Sequence, residues 1–258
     1  MMEAEKKNFN LGHPTYYLNR EISMLAFQER VFGEARDKRH PLLDRTKYLA
    51  FVGSNLNEFF MVRVGGLKMQ YEAGVLQLAI DGRTPAQQLV DIRKHAYRLM
   101  TNVRTYLSEE LMPELKAAGI FILDYEELNP KQQGKADDFF HENVFPVLTP
   151  LAFDPGHPFP HISNLSLNLA VLIQDADGQR RFARVKVPST LPRLVPIKRS
   201  SGGVRRDGTV PHDHYFVWLD QLIAHNLAHL FPGMEILEAH PFRVTRNADM
   251  VIQELEAG

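Results

Sequence analysis

The sequence predicts an α+β protein, in which an antiparallel helical bundle precedes a domain with helices and a largely antiparallel sheet. From residue 19 to about residue 118, apolar side chains recur at three- and four-residue intervals, as on the buried faces of helices. Beyond residue 160 they alternate with polar residues, which is the period of a strand. A dense series of prolines between residues 146 and 160 separates the two patterns. We therefore predict two domains, residues 14–118 and 119–258.

The first helices of the bundle follow a polar lead-in. One helix is predicted from Asn19, with Leu25 and Phe32 on its buried face. A charged turn leads to Pro41, which opens a second helix predicted to end near Val52.

A polar break, Gly53-Ser54-Asn55, follows within YLAFVGSNLNEFFMVRVGGLK, residues 48–68. Asn55 followed by Glu58 is typical of a new helix start, because an Asn side chain accepts a bond from an early backbone amide while the Glu reaches back to the cap. The residues alone favour a cap with no further role. A break between two helices is also a suitable place for a ligand, so both interpretations stay open.

The elements after this region are predicted from caps, turns and alternation. Thr84-Pro85 with Gln87 predicts the start of a long helix that ends near Gly119. Asn129-Pro130 predicts another helix start. Strands are predicted at residues 121–123, 165–173, 180–187, 215–219 and 242–245, with a turn at 175–178, a helix at 220–231 and a surface loop at 200–208.

Composition limits the kind of protein and its partners. The 258 residues are 44% hydrophobic and 24% charged with a formal net charge of −1, so a polyanion would have to meet local clusters of Lys and Arg. The absence of cysteine excludes disulfides, thiol nucleophiles and thiolate metal sites. No apolar run approaches the ~20 residues of a membrane span. Because MMEAEKKNFN also has no apolar signal-peptide core, we expect a cytoplasmic protein.

A basic strand is the first candidate for anion binding. Arg184 and Lys186 lie on the same face of the strand predicted at residues 180–187. Such a row is either an ordinary solvated face, which the residues alone favour, or a track for the phosphates of a polyanion. Arg243 and Arg246, in HPFRVTRNAD, have the same two interpretations.

The histidines do not predict a metal site. His157 and His161 have a helical spacing, but the prolines beside them exclude that helix. His225 and His229 are one turn apart on a predicted helix without an obvious third ligand, which favours a surface role. P-loop, GxGxxG and GxSxG motifs are absent as well, so we predict no metal ligand and no self-contained catalytic centre.

A series of segments along the chain carries a resemblance to a known family. They are LNREISMLAFQERV, RTKYLAFVGSNLNEFFMVRVGGLK, VFPVLTPLAFDPGHPFPHISNLSLNLAV, ARVKVPSTLPRLVPI, FPGM and HPFRVTRNAD. In sequence and order they resemble the long, histidine-phosphorylating family of bacterial polyphosphate kinases. The chain departs from the family pattern at Met24, Gln28 and Asn57, where the family usually has Trp, Asn and Asp. We interpret Met24 as a packing variant, whereas Asn57 removes a charge near the expected nucleotide.

The resemblance implies an enzyme that reversibly transfers the γ-phosphate of ATP through a phosphohistidine to the end of a polyphosphate chain. Asn55 would contact the nucleoside of ATP or ADP. Tyr48 and Leu49 would give weaker apolar contacts to the base, although the residues alone favour plain core for both. The resemblance weakly favours binding of inorganic polyphosphate by the four basic residues named above.

The family resemblance also implies an arrangement of four domains. The helical bundle covers the adenine, the α+β domain builds dimer contacts and part of a tunnel, and two further domains hold the phosphorylated histidine and bind Mg²⁺. We therefore expect a truncated second domain, catalytic residues beyond Gly258 and no activity from this chain alone. The expected assembly is a homodimer or higher homo-oligomer without nucleic acid or a transmembrane segment, with peripheral membrane association left open. The alternative is a non-catalytic module that binds polyphosphate or assembles with a complete kinase.

Overall fold

The structure is a computed structural model that describes residues 10–152, 161–198 and 213–248. Contacts divide these residues into a first unit, residues 10–111 with 246–248, and a second unit made of the described residues between 112 and 245. The first unit is helical and the second contains the sheets, so the predicted α+β class is confirmed. The division falls at residues 111 and 112, close to the boundary predicted after residue 118.

The first unit consists of helices joined by short turns. Its elements are a 3₁₀ turn Pro14–Tyr16, α1 Arg20–Arg36, α2 Leu42–Glu58, a π-helical turn Phe59–Val64, α3 Gly65–Glu72, α4 Pro85–Tyr106 and a π-helical turn Leu107–Leu111. The Asn19 side chain caps α1 by accepting from the amides of Glu21 and Ile22. The predicted capping box at Thr84 and Gln87 starts α4. Buried apolar side chains from α1, α2 and α4 form the core between these helices.

Hydrogen bonds between helices show how the chain runs in the first unit. Arg45, early in α2, donates to the carbonyl of Ala35 near the end of α1, while Asn55, late in α2, donates to Gln28 further back. These pairs advance along α2 and recede along α1, so the two helices are antiparallel. Asn19 bonds to Gln88 where α1 and α4 begin. Tyr106 donates to the carbonyl of Ala35 where the same two helices end, so α1 and α4 run in the same direction.

The predicted break at Gly53-Ser54-Asn55 is wrong. α2 continues through it from Leu42 to Glu58 and leads through the π-helical turn into α3. Val52 and Leu56 are buried in the core. Packing of this apolar face outweighs the low helix propensity of Gly and Asn. Asn55 is therefore an interior helical residue and caps nothing.

The second unit contains all of the strands found in the described residues. Its helices are α5 Met112–Ala117, α6 Pro130–Phe139, α7 Leu219–His225 and α8 Leu227–Leu230. Its strands are β1 Ile120–Leu123, β2 Leu151–Ala152, β3 Leu167–Gln174, β4 Arg180–Lys186, β5 Leu194–Lys198, β6 His214–Trp218 and β7 Glu235–Arg243. Short turns complete it at Tyr125–Glu127, Phe140–Val144 and Phe145–Val147.

Two sheets share one core in this unit. A four-stranded sheet in the order β2-β4-β3-β7 is antiparallel throughout. A three-stranded sheet in the order β1-β6-β5 pairs β1 with β6 in parallel and β5 with β6 antiparallel. Phe140, fully buried after α6, packs in the cluster that joins both sheets and α7. The prediction of largely antiparallel pairing is confirmed.

Several element predictions in this unit need correction. The helix predicted at 220–231 is divided at Asn226 into α7 and α8. A strand was predicted at residues 242–245, whereas β7 runs from Glu235 to Arg243 and overlaps that range by two residues only. Strand β5 was not predicted. The loop at 200–208 and most of the proline-rich stretch, including His157, lie outside the described residues.

Candidate functional site

Asn55 lines a cavity between α1 and the segment that runs from α2 into the π-helical turn. The cavity has a volume of about 310 Å³, within the range of small-molecule sites. Eight residues line it: Met24, Phe27, Gln28, Asn55, Glu58, Phe59, Val62 and Arg63. We call it the Asn55 cavity.

The Asn55 side chain is held in one orientation. Its Nδ2 donates to Oε1 of Gln28 at 3.0 Å, and Gln28 is itself buried. In the described part of the chain, no group donates to Oδ1 of Asn55. One edge of the amide is therefore fixed by the protein, while the other edge can accept a hydrogen bond from a ligand.

The walls of the Asn55 cavity are apolar. Met24, Phe27 and Val62 are each more than 40% exposed and lie side by side in the cavity lining. An apolar wall with a few fixed polar groups is the typical surface for a planar ring. Met24 therefore lines the cavity, and its interpretation as a packing variant stays a prediction.

A fixed cation stands at the edge of the same cavity. Arg63 donates from Nε to Oε2 of Glu21 at 3.0 Å and from Nη2 to Oε1 at 2.6 Å. Glu21 is buried, and its hydrogen bond raises the pKa of Arg63. Arg20 also contacts this carboxylate, at 3.0 Å. The two-point contact holds the guanidinium plane in place.

The π-helical turn contributes to this placement. The amide of Gly65 donates to the carbonyl of Phe60, five residues earlier, which is the π-helical pattern. A π turn rotates the residues that follow it relative to a regular α-helix, and such turns are frequent at functional sites. Asn55, Val62 and Arg63 thus line one cavity although they span the change in helix type.

A larger cavity of about 800 Å³ adjoins the first, since Val62 and Arg63 line both. It lies among the start of α1, the π-helical turn, α3 and the segment before α4. Its lining residues are Asn19, Arg20, Glu21, Val62, Arg63, Gly66, Leu67, Gln70, Val75, Gln77, Leu78, Ala79, Ile80, Asp81 and Gln88.

Tyr48 and Leu49 do not line either of these cavities. Leu49 is part of the buried core. Tyr48 packs against His40 and Phe51, with ring centroids 5.1 and 6.1 Å apart. Their contact with a base stays a prediction.

The basic face of β4 is only partly solvated. Arg184 is 8% exposed and donates from Nε to Oδ1 of Asn168 at 2.9 Å, whereas Lys186 is exposed. Burial lowers the pKa of Arg184, and no carboxylate pairs with it in the described chain. The solvated-face interpretation is therefore wrong for Arg184. A buried guanidinium without a counter-charge favours an anionic ligand.

The other two basic residues do not join this face. Arg243 pairs with Leu167, whose side chain is on the face of the buried Leu169, whereas Arg184 and Lys186 lie on the opposite face. Arg246 belongs to the first unit. The four residues therefore do not form one row, and polyphosphate binding by Arg243 and Arg246 stays a prediction.

Acidic and imidazole groups come together at one place that the sequence analysis did not identify. Ligand atoms of Glu34, Asp37 and His40 lie within 4.8 Å of one another. These groups already have partners: His40 contacts Glu34 at 2.8 Å, and Arg39 holds the pKa of Asp37 well below its usual range. Because these groups already neutralise one another and Glu34 is exposed, we assign no metal to the cluster.

Two histidines of the second unit, His225 and His229, contact other rings. His225 stacks on Tyr125 with ring centroids 3.8 Å apart. His229 lies 4.7 Å from His141, edge to face. His225 and His229 do not share a helix, because α7 ends at His225 and α8 begins after Asn226.

Comparison with known sequences defines the class of this two-unit chain. Residues 17–123 match the profile of the polyphosphate kinase N-terminal domain, and residues 131–258 match that of the polyphosphate kinase middle domain. The chain therefore contains both domains in the order of that class. It belongs to the polyphosphate kinase family.

Individual relatives agree with this assignment. The chain is 52% identical over 245 residues to a polyphosphate kinase of Synechocystis sp., covering 95% of this chain and 33% of the relative. It is 46% identical over 250 residues to polyphosphate kinase 1 of Chlorobaculum tepidum, covering 96% and 35%. The crystal structure of polyphosphate kinase from Porphyromonas gingivalis superposes with a TM-score of 0.74 at 29% identity, covering 91% of this chain and 34% of that one.

The chain spans about a third of the length of the relatives it matches. Among the described residues, no helix is both long enough and apolar enough to cross a membrane.

Proposed function

We propose that this chain supplies the nucleotide-binding part of a polyphosphate kinase, with the base of ATP or ADP in the Asn55 cavity. The observation that carries the proposal is the combination of a fixed amide with exposed apolar walls in a cavity of about 310 Å³. An adenine ring is planar, apolar on both faces and polar at its edge. Its amino group would donate to the unoccupied Oδ1 of Asn55.

The complete reaction of the proposed enzyme moves the γ-phosphate of ATP to a histidine and then to the end of polyphosphate, reversibly. The chain's own contribution is to bind and orient the nucleotide, which lowers the entropic cost of the transfer. We assign neither the phosphorylated histidine nor the Mg²⁺ ligands to any residue of this chain, and we propose that it does not catalyse the transfer alone. Homodimer or higher homo-oligomer assembly and a cytoplasmic location, where ATP is available, complete the proposal.

Titration calorimetry with ATP tests the nucleotide site. The wild-type chain and Ser54→Ala, an exposed neighbour on α2, should bind ATP with the same affinity. Asn55→Ala should bind about tenfold more weakly, since it loses one hydrogen bond to a ligand. Equal binding by all three proteins, or no binding by the wild type, would overturn the proposal.

A second candidate function is polyphosphate binding without catalysis, which the buried Arg184 favours. Arg184→Gln should weaken binding of polyphosphate while keeping a similar side-chain length. Arg181→Gln, at an exposed position that pairs with Asp175, is the matched control. Incubation of the chain with ATP and polyphosphate tests for catalysis. Elongation of the polyphosphate by this chain alone would contradict both the leading proposal, in which the chain does not catalyse the transfer alone, and this second candidate.

A further inference from the structure

We propose that residues 246–248 hold the π-helical turn Phe59–Val64 in the conformation that forms the Asn55 cavity, which makes Asn247 a positioning residue for nucleotide binding. We call residues 246–248 the clamp segment. They belong to the first unit, although they follow β7 of the second unit in the sequence. This inference rests on the proposed function, because its main readout is the affinity of the chain for ATP.

The clamp segment binds a backbone acceptor of the turn itself. The amide of Ala248 donates to the carbonyl of Met61 at 3.0 Å. Met61 is the third of the six residues of the π-helical turn and directly precedes Val62 and Arg63. A hydrogen bond at this point fixes the backbone from which both of these cavity-lining side chains extend.

Asn247 packs on the residue that closes the turn. The amide of Gly65 makes the π-helical hydrogen bond to the carbonyl of Phe60. A Cβ on the buried Gly65 would lie 2.5 Å from Oδ1 of Asn247 and 2.7 Å from its Cγ. Both distances are far shorter than van der Waals contact, so only a glycine admits the Asn247 amide at this point.

A further contact orients the Asn247 side chain along α3. Its Nδ2 donates to Sδ of Met69 at 2.9 Å. Met61, Gly65 and Met69 follow one another at intervals of four residues, which places them along one side of a helix. The clamp segment therefore contacts this side on both sides of the junction between the π-helical turn and α3.

The π-helical turn is a backbone conformation that benefits from such support. π-helices are rare and occur mostly as single turns within α-helices. A return to regular α-helical hydrogen bonding would rotate Val62 and Arg63 relative to Asn55 and so change the cavity that they line. A binding site whose groups are about 1 Å out of place loses much of its function. The clamp segment opposes this rotation through its contacts at Met61 and Gly65.

Calorimetry with ATP on the whole chain tests the positioning role. Asn247→Ala should weaken ATP binding about fivefold, at the lower end of typical coupling between separate sites. Asn102→Ala, at an exposed position of α4 that lines neither cavity, is the matched control and should bind ATP like the wild type. Equal ATP affinities of the two variants would overturn the proposal.

A double-mutant cycle tests whether the contact between Gly65 and Asn247 carries the effect. Gly65→Ala displaces Asn247 and should weaken ATP binding to a similar degree as Asn247→Ala. Because both changes disrupt one contact, the double variant should bind no more weakly than the weaker single variant. Gly53→Ala, whose Cβ meets nothing within 4 Å, is the control for adding a methyl group to a helical glycine. Fully additive losses of affinity would contradict the shared contact.

Amide hydrogen exchange measures the turn without any ligand. Exchange at the amide of Gly65 reports opening of the π-helical hydrogen bond. Asn247→Ala should speed this exchange about fivefold and leave the amide of Leu99, in the core of α4, unchanged. Faster exchange at both amides would show a general loss of stability, and unchanged exchange at Gly65 would show that the turn does not need the clamp segment. Either result would overturn the proposal.

The outcomes distinguish this inference from the proposed function. If ATP binds and depends on Asn55 but not on Asn247, the clamp segment is structural only and this inference alone fails. If the wild-type chain does not bind ATP, both assignments fail, even where exchange at Gly65 responds to Asn247→Ala.

Discussion

Nδ2 of Asn55 donates a hydrogen bond to Oε1 of Gln28 at 3.0 Å and so joins the middle of α1 to the second half of α2. This contact replaces the helix cap that the local sequence suggests. It also fixes which edge of the Asn55 amide faces the cavity.

The position of Asn55 inside α2 predicts a small effect of Asn55→Ala on stability. The variant loses one hydrogen bond, worth about 1 kcal/mol, and gains up to about 0.7 kcal/mol of helix propensity. The free energy of unfolding should therefore change by less than about 1 kcal/mol. Urea denaturation measures it. A loss near 2 kcal/mol, the upper end for a lost cap, would indicate that Asn55 acts as a helix start.

The pair of Glu21 and Arg63 should matter more for stability. Glu21→Gln removes the buried negative charge that pairs with the guanidinium of Arg63. We therefore expect the free energy of unfolding to fall by about 2 kcal/mol or more. Glu29→Gln is the control, because its pair with Arg98 is exposed and should be worth less than about 1 kcal/mol. Denaturation of both variants under one condition compares them. Equal losses would contradict the role given to the buried pair.

Adjacent glycines in α3 give opposite predictions. A Cβ on Gly65 would lie 2.5 Å from Oδ1 of Asn247, whereas a Cβ on Gly66 meets nothing within 4 Å. Gly66→Ala should therefore raise the melting temperature, since Ala has a helix propensity about 1 kcal/mol better than Gly. Gly65→Ala should lower it, because Asn247 has to move. If both variants were more stable than the wild type, residues 246–248 would not pack against α3.

Tyr125 predicts a loss of stability at high pH. Burial, together with a hydrogen bond to Asp137, raises the pKa of Tyr125 above its usual value near 10. Above pH 10 the unfolded chain ionises this phenol while the folded chain keeps it neutral, so the unfolding free energy falls as the pH rises. Tyr125→Phe should show a smaller fall between pH 9 and 11, whereas the exposed Tyr97→Phe should behave like the wild type.

The sequence predicted elements best where local chemistry decides them. The capping boxes at Thr84 and Asn129 are present, because cap and helix lie within four residues of each other. The turn at residues 175–178 depends likewise on Gly178, which has φ near 78°. The break at Asn55 was predicted wrongly because burial of Val52 and Leu56, a tertiary effect, keeps α2 intact.

The candidate site was predictable only in part. The family resemblance identified Asn55, but no local pattern connects Glu21 with Arg63, which are 42 residues apart. The burial of Arg184 could not be predicted either. Alternation along β4 shows on which side of the strand Arg184 lies, but not which other residues pack over that side. Pairing in the sheet placed Arg243 on the opposite face, and the register of β3 with β7 cannot be deduced from either strand alone.

The central claim is that a nucleotide base occupies the Asn55 cavity. Methionine-methyl NMR tests it most directly, because Met24 lines this cavity whereas Met234 lies in the second unit. On titration with ATP, the Met24 signal should shift saturably and the Met234 signal should not. In Asn55→Ala the Met24 shift should need a higher ATP concentration. A Met24 signal that does not move while ATP is bound would contradict the account.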